Sequence, residues 1–318
     1  MAKDYAYRAD HVGVLIKPRA LDEAQQLYAR GEIKIDRLRE IENAAIAAAV
    51  DMQGSIGLSV TTDGGFRRSA AIALELGGDT LAKTEAKSLR SLSRRPIKVA
   101  ISAPRSPADV PADLALAEAL VVKREIEALI AAGVDYIQLD ASGYFAGPLD
   151  ARRDAEPIAK ARPQRALDEL LEIDTAILSG INRPSSVRIA MHFTLGRDAA
   201  PACSSQADAA AERLFGTLPA DRFIMSMHGA GRDFDLLRLV PAGKIAVLGL
   251  IDAAQPEPEN VDDVMSWIDQ AAKLIDGDYL AVSTASGFVA GTGISEAEQR
   301  RKLELVVEVA TRWWGFAM

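Results

Sequence analysis

The chain has 318 residues, of which 49% are hydrophobic and 26% are charged, and its formal net charge is -8 at pH 7. Without a basic run, this charge argues against nucleic acid or an anionic membrane as the partner and favours a small molecule. A single cysteine, Cys203, excludes a disulfide framework and a CxxC motif, and the opening MAKDYAYRAD has no apolar signal region. We therefore expect a cytoplasmic protein without a membrane segment.

Short β-branched runs alternate with longer amphipathic segments along the chain, which predicts repeated βα units. Eight strands are predicted, at 9–14, 57–62, 97–102, 135–140, 187–192, 222–227, 244–250 and 278–284. The predicted helices include 21–52, 112–132, 164–179, 207–214, 261–274 and 295–313. Eight such units favour one α/β domain over 1–318, a (β/α)8 TIM barrel, because closure removes exposed sheet edges. An open doubly wound sheet is the alternative.

The segment 141–163 is long, rich in Gly, Pro and charged residues, and directly follows the fourth predicted strand. We interpret it as a lid over the barrel mouth, with Tyr144 as its candidate substrate contact. No glycine-rich phosphate loop follows the first or the second strand. No nucleotide cofactor is therefore expected.

Active sites of (β/α)8 barrels are built at the carboxyl ends of the strands and in the loops that follow. The titratable residues predicted there give four catalytic candidates, Asp63, Asp140, His192 and His228. Asp140 ends the fourth strand and His192 the fifth, so the carboxylate would orient an imidazole that exchanges a proton near neutral pH. The alternative for Asp140 is an aspartate that hydrogen-bonds its own loop.

Further residues near the predicted mouth are candidates for substrate binding. Arg67 and Arg68 could bind a substrate carboxylate or phosphate, or form a salt bridge with Asp63. His11 lies in the first strand, where a neutral imidazole bonded to a backbone carbonyl is the alternative. Asp252 follows the seventh strand, where it could instead open a turn.

Seven segments of the chain form a recognisable order: RADHVGVLIKPRAL, GLSVTTDGGFRR, GVDYIQLD, VRIAMHF, LGLIDAAQPEPEN, STASGF and KLELVVEVATRWWG. In this order they resemble the catalytic domain of cobalamin-independent methionine synthase. The resemblance spans nearly the whole chain and implies a (β/α)8 barrel, methyl transfer from a folate to homocysteine, and a zinc ion that holds the thiol as a thiolate. It also implies that Asp140 helps to hold the substrate amine.

The zinc ligands of that family, His, Cys, Glu and Cys at strand ends, are largely missing from this chain. His192 matches the histidine. Thr194 stands at the first cysteine, Ser226 or an adjacent methionine at the glutamate, and Ser286 at the last cysteine. Because hydroxyls are poor substitutes for thiolates and a carboxylate, we expect no zinc and interpret Ser226 and Ser286 as substrate contacts.

Together these observations predict a barrel enzyme with altered, zinc-independent chemistry. The reaction would be acid–base cleavage by a lyase, or group transfer, on a small substrate that could be anionic. A methyltransferase acting on a thiol or related acceptor is the first alternative, and a non-catalytic binding protein is the second. The small substrate is the expected partner, and the chain could also form a homo-oligomer.

Overall fold

The structure is a computed structural model that describes residues 7–67, 81–104, 111–141, 163–193, 205–227, 234–288 and 293–315. Its central sheet is parallel, and its strands lie in chain order, each hydrogen-bonded to the next. The strands are β1 (Lys98–Ser102), β2 (Tyr136–Asp140), β3 (Arg188–Phe193), β4 (Arg222–Ser226), β5 (Ile245–Ile251) and β6 (Leu280–Thr284). All carboxyl ends therefore lie at the same end of the sheet.

The first two predicted strands connect the edges of this sheet. Ala9 forms a parallel bridge with Val282 of β6, and Thr61 forms one with Ile97, which directly precedes β1. The Ser59 amide donates to the Ala9 carbonyl over 3.4 Å, so the two segments also contact each other. The eight segments thus have the arrangement of a (β/α)8 barrel, as the alternation along the chain predicts.

Neither of these two segments is a regular strand, which corrects that part of the prediction. In the first segment, residues 8–12, side-chain oxygens accept hydrogen bonds that strand carbonyls would otherwise accept. The Ala9 amide donates to Ser59 Oγ over 3.2 Å. The Val12 amide donates to Thr284 Oγ1, also over 3.2 Å. Because these contacts interrupt the backbone ladder, the segment keeps a single bridge.

The helices surround the sheet. They are α1 (Arg19–Ala29), α2 (Ile35–Ile56), α3 (Leu81–Leu92), α4 (Ala112–Ala131), α5 (Pro163–Leu178), α6 (Ser205–Thr217), α7 (Val261–Ala271) and α8 (Glu296–Trp314). The prediction of one helix over 21–52 is wrong, because Gly31 has a φ of 74° and the chain turns between α1 and α2. Helix α3 is absent from the predicted set, and the other helices match to within a few residues.

The barrel interior contains a small apolar cluster that is separate from the larger core between helices and sheet. Its members are Tyr7, Val12, Val60, Tyr136, Ala190, Ile224, Ile245, Val247 and Ala281. Fully buried charged side chains pack among them, including Asp10, Lys98 and Arg222. The interior of the barrel is therefore filled, which leaves the strand ends as the place for a ligand.

The predicted lid, 141–163, lies outside the described residues except for its first and last positions. The lid therefore stays a prediction. Among the residues that the structure describes, no helix is both long enough and apolar enough to cross a membrane.

Candidate active site

The carboxyl ends of β2 and β3 bring Asp140 and His192 together. The two residues are directly opposite each other in the parallel register. Nδ1 of His192 lies 2.9 Å from Oδ1 of Asp140. The His192 side chain is 6% exposed and the Asp140 side chain 36%. The pair therefore combines a buried imidazole with a carboxylate that is still accessible from the mouth.

This contact determines which nitrogen of His192 carries the proton in the neutral ring. A carboxylate oxygen accepts hydrogen bonds, so Nδ1 is the protonated nitrogen and donates to Asp140. Nε2 then carries a lone pair. Nε2 is buried and has no hydrogen-bond partner among the described residues. The ring is therefore arranged to accept a proton at Nε2, with Asp140 placed to stabilise the imidazolium that results.

Gln138 is a third member of this cluster, and the sequence reasoning missed it. It lies two residues before Asp140 on β2, and the two side chains therefore point to the same face of the strand. Its Nε2 donates to Asp140 Oδ1 over 2.7 Å and to the Val12 carbonyl over 3.0 Å. The spacing of Gln and Asp in YIQLD could have indicated this contact. It places two polar side chains on the same face of a buried strand, where each needs a hydrogen-bond partner.

His11 is buried in the first segment, at 1% exposure. Its Nε2 lies 3.4 Å from Oγ1 of Thr62, and that hydroxyl donates to the Gly13 carbonyl over 2.9 Å. Burial and, second, the positive charge of Lys98 lower the pKa of His11 from 6.5 to about 4. His11 is therefore a neutral imidazole, bonded to a hydroxyl rather than to a backbone carbonyl. Its Nδ1 is buried without a partner in the described part of the chain.

Asp63 and Arg67, in the loop after the second segment, have different hydrogen-bond partners. Oδ1 of Asp63 accepts from the Gly65 amide over 3.0 Å. Its Oδ2 is buried and unpartnered within the described ranges. Arg67 is directed to helix α2, where its Nε donates to Glu42 over 3.1 Å and its Nη2 donates to Asn43. In place of the salt bridge to Asp63, which was the alternative to substrate binding, Arg67 pairs with the buried carboxylate of Glu42.

The remaining candidates hydrogen-bond to the protein backbone or lie outside the described residues. Ser226 donates to the Ala285 carbonyl, and Ser286 donates to the Gly287 carbonyl over 3.3 Å. Oδ1 of Asp252 accepts from the Ala254 amide over 2.9 Å, which is the turn contact proposed as its alternative role. Outside the described residues lie Arg68, Tyr144, Thr194, Cys203 and His228.

The zinc site of the methionine synthase family does not fit these residues. The hydroxyls of Ser226 and Ser286 are neutral and keep their protons, which they donate to backbone carbonyls, whereas structural and catalytic zinc is held by thiolate, imidazole or carboxylate ligands. His192 uses Nδ1 for Asp140 and has one nitrogen left. In the described ranges, no group of three or more His, Cys, Asp or Glu side chains is arranged to hold a metal ion.

A buried ion pair lies beneath the site. Lys98 Nζ donates to Asp10 Oδ1 and to the His11 carbonyl, each over 2.7 Å, and the Tyr136 hydroxyl donates to Asp10 Oδ2 over 2.7 Å. Burial by itself raises the pKa of Asp10, but the charges of Lys98 and Arg222 and these hydrogen bonds outweigh it and lower that pKa. The sequence reasoning missed this cluster, although charged residues inside β-branched runs were visible.

Sequence comparison finds relatives over the full length. No protein-family model matches the chain. Two Bacillus subtilis (strain 168) proteins, described as uncharacterized proteins YxjH and YxjG, are similar to it. They are 29% identical over 360 residues and 27% identical over 362 residues, respectively. Each comparison covers 97% of this chain and 95% of the relative, so the similarity includes the whole barrel.

Structural comparison identifies solved proteins with the same fold. A putative vitamin-B12-independent methionine synthase from Listeria monocytogenes has a TM-score of 0.78 at 24% identity, over 98% of both chains. A B12-independent methionine synthase from a Shewanella species, in complex with selenomethionine, has a TM-score of 0.76 at 19% identity, over 98% of both chains. A methyltransferase from Methanosarcina mazei has a TM-score of 0.55 at 11% identity, over 99% of this chain and 95% of that one. The chain therefore has the α/β barrel fold of methionine-synthase-like proteins, as the seven segments imply.

Proposed function

We propose that this protein is an enzyme in which His192 transfers a proton to or from a small substrate at the carboxyl ends of the barrel strands. The observation that carries the proposal is the 2.9 Å contact between His192 Nδ1 and Asp140 Oδ1, with Nε2 buried and unpartnered among the described residues. An oriented neutral imidazole has a lone pair at a defined position, where it can accept a proton. Such a group contributes about 10²–10⁴-fold to a reaction rate.

In a lyase reaction, Nε2 of His192 would take a proton from the substrate and Asp140 would stabilise the imidazolium. The imidazolium would then return the proton to the leaving group. In a group-transfer reaction, Nε2 would take the proton of the acceptor, and the acceptor would attack the transferred group and break its bond to the donor. The imidazolium would then give the proton to the donor as it leaves. Both reactions use the same two residues in the same roles, and no step requires a zinc-bound thiolate.

The substrate that fits this site is small and polar. Three buried atoms of the candidate residues lack partners in the described part of the chain, His11 Nδ1, Asp63 Oδ2 and His192 Nε2. Buried polar atoms in native proteins are hydrogen-bonded by protein, water or ligand. Because the Thr62 hydroxyl gives its proton to the Gly13 carbonyl, His11 donates from Nε2 and its Nδ1 is an acceptor. All three atoms are therefore acceptors, which suit N–H or O–H groups of a substrate. Arg67, held by Glu42, gives no support to the anchoring of an anion.

A methyltransferase acting on a thiol or related acceptor is the second candidate. It is supported by the fold that the chain shares with proteins described as methionine synthases or as a methyltransferase. The missing zinc ligands at Thr194, Ser226 and Ser286 argue against the thiolate mechanism. Group transfer to an acceptor that His192 can deprotonate would be compatible both with the shared fold and with the missing zinc ligands.

A ligand screen followed by turnover assays tests the proposal. Thermal shift identifies compounds that bind, because a ligand at about 100 times its dissociation constant adds ~2.7 kcal/mol of apparent stability. For a compound that is converted, Asp140→Asn and His192→Gln should each abolish turnover. Asp269→Asn, at an exposed position on α7, is the matched control and should convert the compound at the native rate.

Two outcomes would contradict the proposal. Native-like turnover in both Asp140→Asn and His192→Gln would remove the pair from the reaction. A compound that binds tightly but is recovered unchanged, across lyase and transferase assays, would favour a non-catalytic binding protein.

A further inference from the structure

We infer that Gln138 is a positioning residue, which holds the Asp140 carboxylate so that His192 keeps its proton on Nδ1. The inference deepens the proposed function and rests on the pair described above. Gln138 is fully buried, at 0% exposure, in the middle of β2. Its amide lies between Asp140 and the backbone of the first segment, and it contacts both.

The hydrogen bonds of the amide allow one orientation. Both N–H groups of Gln138 are used, one for Asp140 Oδ1 and one for the Val12 carbonyl. If the amide were rotated by half a turn, its oxygen would face these two acceptors and both contacts would become repulsive. The nitrogen is therefore assigned to this side by its partners.

The same oxygen of Asp140 receives both hydrogen bonds. Gln138 Nε2 is 2.7 Å from Oδ1, and His192 Nδ1 is 2.9 Å from Oδ1. The carboxylate is 36% exposed and accepts no other side-chain hydrogen bond from the described residues. Without Gln138, the one side-chain donor left to the carboxylate in the described part of the chain would be the imidazole that it orients. Gln138 thus supplies an independent restraint.

The restraint is neutral, which suits the role. An Arg or Lys at this place would neutralise the carboxylate, whereas an amide donates a hydrogen bond and leaves the full negative charge of Asp140 for the imidazolium. The buried ammonium group of Lys98 interacts electrostatically with Asp140 but donates its hydrogen bonds to Asp10 and to the His11 carbonyl. Both side-chain hydrogen bonds that Asp140 accepts from the described residues thus come from the Gln138 amide and the His192 imidazole.

Burial of the Gln138 amide lowers the stability of the folded protein, so close packing alone does not explain why a glutamine is at this position. Oε1 of Gln138 is buried and has no partner among the described residues. An unmet acceptor destabilises the folded state, and an apolar side chain of similar length would avoid this. The benefit of the amide is therefore its two donated hydrogen bonds, which join the first segment, through Val12, to the catalytic pair.

Nitrogen NMR of the full-length protein, labelled with ¹⁵N in its histidine side chains, tests this role without a substrate. The three histidines are assigned with single His→Gln variants. In the native protein, neutral His192 should carry its proton on Nδ1. In Gln138→Met, which keeps the length of the side chain and removes the amide, the ratio of the Nδ1–H to the Nε2–H form should fall at least tenfold. An unchanged ratio in folded Gln138→Met would overturn the inference.

The matched control is Gln299→Met. Gln299 is another buried glutamine, and it accepts the Ile16 amide at a distance of 2.6 Å, on α8. This variant should leave the His192 tautomer unchanged. A tautomer change of the same size in Gln299→Met would show that any buried amide has this effect and would also overturn the inference.

Asp140→Leu separates failure of the inference from failure of the proposed function, because it removes the acceptor that His192 and Gln138 share. In this variant the ratio of the Nδ1–H to the Nε2–H form of His192 should fall, and the side-chain amide resonances of Gln138 should shift. The resonances of Gln53, another buried glutamine whose amide donates to the Ala49 and Thr62 carbonyls, should stay in place. If Asp140→Leu leaves His192 unchanged, the catalytic pair itself is wrong. If it changes the tautomer while the Gln138 resonances stay in place, only the positioning role is wrong. The Gln138 resonances therefore also test the positioning role when Gln138→Met does not fold.

Discussion

Lys98 and Asp10 form an ion pair of 2.7 Å in which both side chains are completely buried inside the barrel. The residues are 88 positions apart in the chain. Lys98 also binds the carbonyl of His11, and Asp10 accepts the amide of His11 over 2.8 Å. The pair therefore holds the first segment in place beneath the candidate active site.

Lys98→Met should destabilise the protein strongly, because it leaves the Asp10 carboxylate buried without its cation. Removing one partner of a buried ion pair costs about 3–5 kcal/mol. The free energy of unfolding in urea measures the effect. Arg19→Met is the matched control, since it breaks an ion pair of 2.6 Å with Glu23 on the surface of α1, and it should give no measurable change. Equal stability of the two variants would contradict the prediction.

His11→Gln should change how stability depends on pH. The folded pKa of His11 is about 4, below the 6.5 of the unfolded chain, so the unfolded chain binds a proton between these values that the folded chain does not. Native stability should therefore fall as the pH decreases from about 6.5 to about 4. At ~1.4 kcal/mol for each tenfold difference in proton affinity, His11 accounts for about 3 kcal/mol of this loss. Urea unfolding at about pH 7 and about pH 4.5 measures it. Parallel losses in the native protein and in His11→Gln would show that His11 is not responsible.

Gly249→Ala should distort the mouth. A Cβ at this position in β5 would lie 2.8 Å from the Met225 carbonyl oxygen and 2.9 Å from Ala285 Cα, both of which are backbone atoms. Such overpacking typically costs ~1–3 kcal/mol. Gly216→Ala is the control, because a Cβ there, on α6, meets nothing within 4 Å and should be neutral or stabilise by about 0.5–1 kcal/mol. Thermal unfolding of both variants is the measurement. A Gly249→Ala variant that unfolds at the same temperature as the native protein would contradict the prediction.

The purified protein should hold no stoichiometric zinc in a thiolate-type site. Ser226 and Ser286 donate to carbonyls, and Thr194 replaces a cysteine of the family pattern. Elemental analysis by mass spectrometry is the measurement. One zinc per chain that is lost in His192→Ala would refute the prediction.

Methyl transfer from methyltetrahydrofolate to homocysteine should likewise be negligible. Turnover comparable to that of a genuine methionine synthase would refute this second expectation.

The sequence by itself determined the order of the elements and the Asp140–His192 contact. Alternation of β-branched runs with amphipathic segments is a local signal, and it predicts parallel strands whose carboxyl ends share one face. Asp140 and His192 end consecutive strands, so pairing of neighbours was sufficient to bring them together. The seven family-like segments gave the same fold by an independent route, and the solved structures agree with it.

Only the tertiary structure decided the partners of the other polar groups. Arg67 pairs with Glu42 across 25 positions, rather than with the neighbouring Asp63. Lys98 finds Asp10 through the barrel interior, and their burial, together with that of His11, determines the pKa of the imidazole. Such pairings depend on which side chains closure of the barrel places within about 3 Å of each other, and no local period along the chain encodes that distance.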